Sequence, residues 1–420
     1  MFVFKFGGAS VNSVDRVKNV GSILQQYSHE KILVVISAMG KTTNALEKVV
    51  EAFYQHKKGE ALSLFQQVKQ QHLTTAKYLL VQNILACEEQ LSGFFTEVEW
   101  LLHDKPVRDY DYYYDQIVCA GELLSTAIVS HYLNEAGICN QWVDVRDIIR
   151  TDDNFREAII DWEYTTAKVS AAITPLFTKN NIVLTQGFIG STDENESTTL
   201  GREGSDYTAS VFANMLNAKS LTIWKDVESV MNADPKKFPD AQAIPELNYN
   251  EVIEMAYYGA QVIHPKTIKP LQNKAIPMYV KCFLHPALQG TVIHNQPVKN
   301  LPPIVVLKEN QLMMEFSSKD FSFVGEHHTG KLYQLFEKYK LKPNLTQNTA
   351  IRFIAVLDSW PEKTEKLALE AAGIFDVQLT GGLSLLTIRH YNREVFDQLS
   401  EGKKILLQQR TTDTVQSVLQ

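Results

Sequence analysis

This sequence predicts an α/β fold, a mainly parallel sheet with helices on both faces, followed by a smaller α+β region. Three observations carry that prediction. Short aliphatic runs alternate with amphipathic helical stretches through residues 1–298, and the order βαβα implies parallel strands joined by right-handed crossovers. Glycines punctuate the strand-to-helix junctions, at Gly7-Gly8 and again at Gly201 and Gly204, as they do where a sheet offers a ligand its strand ends. Beyond residues 295–303, which carry three prolines, the texture changes, so residues 1–298 and 299–420 read as separate regions.

The first strand, residues 2–6, breaks at Gly7-Gly8, and Ser13 then caps a helix whose apolar side holds Val14, Val17, Val20, Ile23 and Leu24. Residues 31–37 are nearly all aliphatic, the mark of a central parallel strand buried on both faces. The following Gly40-Lys41-Thr42 is no P-loop, because the motif needs a glycine where this chain has Val35. Ser37, Thr43 and Asn44 still stand at the carboxyl end of a strand, where open sheets bind ligands. Residues 45–103 are helical in period and read as a structural insertion, a helical hairpin or lid, and the tyrosines of 109–115 read as surface packing. Glu122 falls inside a helix ending near Leu133 and is a solvated side chain unless a cation faces it. A strand at 141–145, a helix at 168–177 and a buried strand at 182–185 lead into Gly187, and polar residues 191–199 cross the surface.

The stretch from Leu200 to Asp206 sets two glycines, an arginine, a hydroxyl and a carboxylate between a strand and a helix. Ser205 or Asp206 caps that helix, whose apolar side holds Val211, Phe212, Met215 and Leu216, and the amides at its start favour an anion. Such a junction suits phosphate, and equally an ordinary glycine loop with a capping aspartate. Lys5 stands in the same way between a surface lysine and an ammonium that the Gly7-Gly8 turn lets approach a ligand. Residues 220–224 form a strand closed by Lys225-Asp226, and these with Lys236 suit phosphates, a magnesium ion or simply a charged loop. A helix at 251–258 stops at Gly259, His264 before Pro265 is a turn residue, and 277–283 supplies another strand. The tail runs strand (304–307, 313–316), helix (331–339), strand pair (342–358), helix (362–372), strand (382–389), helix from Arg393 and hairpin (404–419). Two ββα sandwiches side by side explain that repeat.

Composition narrows the function classes. A 420-residue chain that is 45% apolar is long enough for two or more cores. Its net charge of -7 argues against a general nucleic-acid binder and leaves small molecules as partners. Cys87, Cys119, Cys139 and Cys282 are scattered without CxxC spacing, which indicates reduced, mostly buried thiols rather than a zinc site or a disulfide scaffold. With no basic-then-apolar leader and no apolar run near the roughly 18 residues a membrane span needs, the expectation is a cytoplasmic protein without a membrane partner.

Lys5-Phe6-Gly7-Gly8, Ser37 with Thr43-Asn44, Gly121-Glu122, Gly187-Phe188, Gly201-Arg202 with Gly204-Ser205-Asp206, Asp234-Pro235, and Gly259-Ala260 with Val262-Ile263-His264-Pro265 occur in the order and spacing of the aspartokinases. The chain resembles that family along its whole length. The resemblance implies an amino-acid-kinase αβα sandwich over 1–298, with an aspartate-binding N-lobe and an ATP-binding C-lobe. It implies tandem ACT-like α+β domains over 299–420 that regulate and form a homodimer, the second lacking its closing helix. The implied reaction moves the γ-phosphoryl group of ATP, with Mg²⁺, to the β-carboxylate of L-aspartate, giving 4-phospho-L-aspartate on the way to lysine, threonine and methionine. Lys5 and Asp206 are the implied catalytic residues. Ser37, Thr43, Glu122, Phe188, Arg202, Gly204 and Ser205 would hold aspartate, with Arg202 on the α-carboxylate and Glu122 on the ammonium. Gly7, Gly8, Lys225, Asp226, Met231, Lys236 and Gln261 would hold the nucleotide, and no protein side chain is expected as a metal ligand.

Three residues depart from the family pattern. Gln261 replaces a lysine that reaches the nucleotide phosphates in many members, which shifts weight to Lys225 and Lys236. Glu203 replaces a glycine of the arginine loop and is expected to point away from the anionic substrate. Asn344 stands where lysine-sensitive members carry an aspartate, so the effector stays open between lysine, threonine and none. Two alternatives stay open: an enzyme of the same fold with another acceptor, and a catalytically silent amino-acid sensor.

Overall fold

The computed structural model describes residues 1–260, 262–320 and 323–420. By contacts the chain forms two compact units, one of residues 1–230, 243–253 and 262–298, the other of 231–242, 254–261 and 299–420.

An eight-stranded sheet organises the first unit, in the order Glu246–Asn248, Thr291–His294, Met278–Cys282, Leu221–Lys225, Phe2–Phe6, Ile32–Ile36, Ile182–Gln186, Asn140–Trp142. Neighbours run parallel, except that Met278–Cys282 and Thr291–His294 are antiparallel. Every residue of Ile32–Ile36 and of Ile182–Gln186 is buried, so both sheet faces are covered and the all-aliphatic run of Ile32–Ile36 is explained. Phe6 stacks on Trp224 of the next strand with centroids 5.9 Å apart, and both are buried. In register, Phe6 lies beside Ile36 and Trp224, and Ile36 beside Gln186. The carboxyl ends of four parallel strands therefore finish level, delivering Gly7, Ser37, Gly187 and Asp226 to one edge of the sheet.

Ser13 caps the helix Val14–Gln26, its side chain accepting from the Arg16 amide at 3.4 Å, and the valines face the core. The helical insertion consists of three helices, Thr42–Tyr54, Lys58–Leu79 and Ile84–His103. Several local expectations are corrected. Tyr113 and Tyr114 of the helix Tyr110–Val118 are buried rather than surface packing, because Phe53 packs edge-on to Tyr113. The strand expected at 141–145 stops at Trp142 and turns into a short 3₁₀ segment where Asp144 caps the Arg146 amide. The helix expected at 168–177 is Trp162–Lys168, capped by Asp161, and it continues as π and 3₁₀ turns to Thr178. Residues 191–199 reach the surface only at their middle, where Asp193, Glu194 and Asn195 are exposed; the flanking strands Ile189–Ser191 and Ser197–Thr199 form an antiparallel ribbon that is buried.

In the second unit one antiparallel sheet runs Leu345–Asn348, Arg352–Asp358, Ile304–Ser318, Phe375–Arg389, Thr414–Leu419, Ile405–Arg410. The two runs expected at 304–307 and 313–316 are a single strand, paired with Phe375–Arg389 from Ile304↔Arg389 to Ser318↔Phe375 through an irregularity near Gln311. Helices Glu326–Lys338 and Pro361–Ala371 cover a core of Phe316, Phe336, Phe353 and Phe375. Arg393–Ser400 covers another of Val305, Leu386, Ile388 and Phe396. Two ββα halves thus share the two long strands. Among the described residues no helix is long and apolar enough to cross a membrane.

Candidate active site

The sheet's carboxyl edge is where the chemistry-bearing residues meet. Lys5, in its central strand and 9% exposed, points its ammonium at the Asp206 carboxylate, 2.6 Å away. Burial alone would raise the Asp206 carboxyl, but the charges of Lys5 and Lys225 outweigh it and hold the group below its ordinary range. Asp206 is thus an anion committed to a lysine, which is why it does not cap its helix. The helix Gly204–Met215 starts instead from Glu203, whose backbone is left-handed at φ 54° and whose side chain makes no cap. Ser205 and Asp206 sit inside the first turn, and the expected caps are corrected accordingly.

Close backbone approach explains the glycines. A Cβ on Gly8 would lie 2.7 Å from the Ala38 carbonyl, and one on Gly187 would lie 2.5 Å from the Ser205 Cβ. On Gly204 it would meet the Phe188 ring at 2.6 Å. The Gly40 amide donates to the Gly8 carbonyl at 3.0 Å, so the first two strand ends are joined where a phosphate could approach bare backbone. Phe188, at φ 71°, is fixed by its amide donating to Thr208 Oγ1 at 3.0 Å and its carbonyl accepting from Leu200 at 2.8 Å.

Glu122 lies in the helix Ala120–Glu135 and is 2% exposed, not solvated. One carboxylate oxygen accepts from the Ala38 amide at 3.2 Å, while Oε2 has no partner among the described residues. Burial pushes this carboxyl up to about 8, against the pull of that amide and of Lys5. An unpartnered buried carboxylate oxygen is costly, and a cation from outside is what would satisfy it. Ser37 is half-buried, its carbonyl accepting from Ser125 Oγ at 2.7 Å, and Thr43 is half-buried in the first turn of Thr42–Tyr54. Arg202 is exposed, and no hydrogen bond or ion pair engages its side chain among the described residues.

On the side expected for the nucleotide, Lys225 Nζ donates to the Val262 carbonyl at 2.7 Å and Asp226 is exposed. Met231 and Lys236 belong to the second unit, where Lys236 is exposed and its amide donates to Asp234 Oδ1 at 3.0 Å. Gln261 lies outside the described residues. No group of three or more His, Cys, Asp or Glu side chains that could hold a metal occurs among the described residues. Three cysteines are buried and Cys139 is exposed; burial pushes the Cys87 and Cys119 thiols up to about 12.

Sequence reasoning missed Asp115. Fully buried, its carboxylate accepts from the Arg156 amide at 2.9 Å, the Thr199 amide at 2.8 Å and the Thr199 hydroxyl at 2.7 Å, tying a helix to the ribbon that leads into Leu200 and Arg202. Burial raises it to about 6 despite those donors. Nothing in the tyrosine-rich run around it marks the position. Glu203 Oε2 accepts from the His264 amide at 2.9 Å. Asn344 is engaged within the second unit, accepting from Lys308 Nζ at 2.7 Å and donating to Gln311 Oε1 at 2.8 Å and Asp358 Oδ1 at 3.0 Å.

Comparison with known proteins places this edge in context. Residues 1–282 match the model of the amino acid kinase family. Aspartokinase 2, chloroplastic, of Arabidopsis thaliana is 32% identical over 369 residues, covering 85% of this chain and 66% of that protein. The chain thus spans just under two thirds of the length of that plant relative. Lysine-sensitive aspartokinase 3 of Escherichia coli is 29% identical over 399 residues, covering 92% of this chain and 86% of the relative. The crystal structure of E. coli aspartokinase III in complex with aspartate and ADP superposes with a TM-score of 0.83 at 26% identity, covering 100% of this chain and 96% of that one.

Proposed function

We propose that this chain, which belongs to the amino acid kinase family, is an aspartate kinase that transfers the γ-phosphoryl group of ATP to the β-carboxylate of L-aspartate. The observation that carries the reading is the buried pair of unlike demands at one sheet edge. The Lys5 ammonium stands beside a glycine turn open to phosphate, and Glu122 presents a carboxylate oxygen that has no partner among the described residues. The relatives named above support it.

Aspartate offers an α-ammonium, an α-carboxylate and the reacting β-carboxylate. Glu122 suits the first, and Arg202, exposed and unengaged among the described residues, suits the second through a bidentate grip. Ser37, Thr43, Phe188, Gly204 and Ser205 complete that pocket. The β-carboxylate is already ionised at neutral pH, so no general base is required. Its oxygen attacks the γ-phosphorus, the bond to the β,γ-bridging oxygen breaks, and ADP leaves with that electron pair. Catalysis then rests on alignment and on neutralising charge on the transferring group. Lys5 supplies the charge, and Asp206 holds Lys5 in place. Gly7, Gly8, Lys225, Asp226, Met231, Lys236 and Gln261 are the proposed nucleotide contacts. Mg²⁺ would be held largely by the phosphates and by water. Residues 299–420 we assign to tandem ACT-like domains, which form the homodimer and receive any amino-acid effector.

Release of ADP from Mg-ATP tests the reading, with L-aspartate, L-glutamate and UMP offered as separate acceptors. Turnover with aspartate alone is the expected outcome. Turnover with UMP or glutamate in its place assigns another acceptor, and folded protein that turns over none of them overturns the kinase.

A further inference from the structure

We infer that Glu203 is a positioning residue that couples the two substrate sites, an inference that rests on the aspartate kinase reading above. A left-handed backbone at position 203 is one that glycine adopts freely and a side chain resists, yet this chain places a glutamate there, at φ 54°. Its carboxylate also stands one residue from Arg202, beside the seat of an anionic substrate. The bond to the His264 amide, 2.9 Å long, turns the carboxylate away and gives it an object.

That object is not isolated. His264 opens the helix Pro265–Gln272, a position where a negative charge is favoured. Two residues on, Lys266 reaches back, its Nζ donating to the Leu200 carbonyl at 2.9 Å while lying over the Tyr207 ring at 4.8 Å. Two residues earlier, the Val262 carbonyl accepts from Lys225 at 2.7 Å. Residues 262–266 therefore hold both flanks of the Arg202 loop, at Leu200 and at Glu203, and also the lysine proposed for the nucleotide. Arg202 lies between the two fastened residues with its own side chain unengaged among the described residues. When Lys225 turns to meet a phosphate, its release of Val262 alters the segment to which the Arg202 loop is tied. The loop's position, and with it the grip on the α-carboxylate, follows the occupancy of the nucleotide site.

Calorimetric titration of L-aspartate into the full chain, without and with saturating Mg-ADP, measures this coupling as a ratio of dissociation constants. In the wild type a ratio of about fivefold or more is expected, the low end of measured coupling between sites. Glu203→Gly relieves the backbone but removes the acceptor, and should bring the ratio close to one. Glu203→Gln keeps an oxygen for the His264 amide and should preserve it. Lys266→Met breaks the other tie without touching the left-handed backbone and should lower the ratio too, so a folding defect at 203 does not leave the question open. A wild-type ratio of one, or a ratio unchanged in both Glu203→Gly and Lys266→Met, overturns the coupling while leaving the kinase reading intact. Wild-type protein that binds Mg-ADP but no aspartate in either condition overturns both.

Discussion

Glu122 shows most clearly how one residue's surroundings set its chemistry. A helix residue of this type is ordinarily solvated, and burial here raises its carboxyl to about 8, above the ordinary value near 4.5. Between those values the folded chain keeps a proton that the unfolded chain has released, so stability falls as pH rises through that window. Glu122→Gln should remove that slope in thermal unfolding followed from pH 5 to 8.5. The same shift governs binding. An ammonium needs the carboxylate form, so aspartate uptake below about pH 8 releases a proton and tightens as pH rises toward 8. Calorimetry in buffers of different ionisation heat reads that proton directly. The Gln variant should release none and lose about 1.5–3 kcal/mol of affinity, the range for hydrogen bonds to charged groups. Identical pH profiles for the two proteins would remove Glu122 from the ammonium site.

At the scale of elements, glycines decide how closely strand ends and helix starts approach. Gly187→Ala places a methyl 2.5 Å from Ser205 and must push the helix Gly204–Met215 away from the sheet. A loss of about 1–3 kcal/mol in denaturant unfolding is expected, together with a raised KM for aspartate. Gly93→Ala is the contrasting case. An added Cβ meets nothing within 4 Å in the helix Ile84–His103, so it should stabilise by about 0.5–1 kcal/mol. These elements also mark what was legible beforehand. The strands Phe2–Phe6, Ile32–Ile36, Ile182–Gln186 and Leu221–Lys225 announce themselves, because strands buried on both faces are short, mostly apolar runs. The buried strand Ser197–Thr199 did not, because its residues are polar and its burial depends on distant partners such as Asp115 and Gln116. The expected cap at Asp206 failed for a similar reason: a long-range ion pair took the carboxylate that local chemistry would have used as a cap.

For the whole molecule, sequence order and spatial membership part company. The proline-rich stretch before Ile304 is visible in composition, yet the second unit also draws in residues 231–242 and 254–261. Those segments are held there by real bonds. The Val305 amide donates to the Asn232 carbonyl at 2.7 Å, Lys237 pairs with Glu309 at 2.6 Å, and Arg389 pairs with Glu254 at 3.1 Å. A single proteolytic nick within 299–303 should therefore leave both fragments together on size exclusion in native buffer; separation into two peaks would contradict that membership. The site itself was legible as a set of motifs in order, and illegible as geometry, since nothing local tells Lys5 that Asp206 will stand 2.6 Å away. On the proposed reading, this edge makes an acyl phosphate on aspartate with Lys5 neutralising the transferred group. Hydroxylamine trapping tests it most directly, by converting the acyl phosphate to aspartyl hydroxamate. Wild-type protein with Mg-ATP and L-aspartate should form hydroxamate in step with ADP. Lys5→Ala should form it about 10²–10³-fold more slowly, the loss of one charge stabiliser worth about 2.7–4 kcal/mol. ADP without hydroxamate, or equal rates in the two proteins, would contradict it.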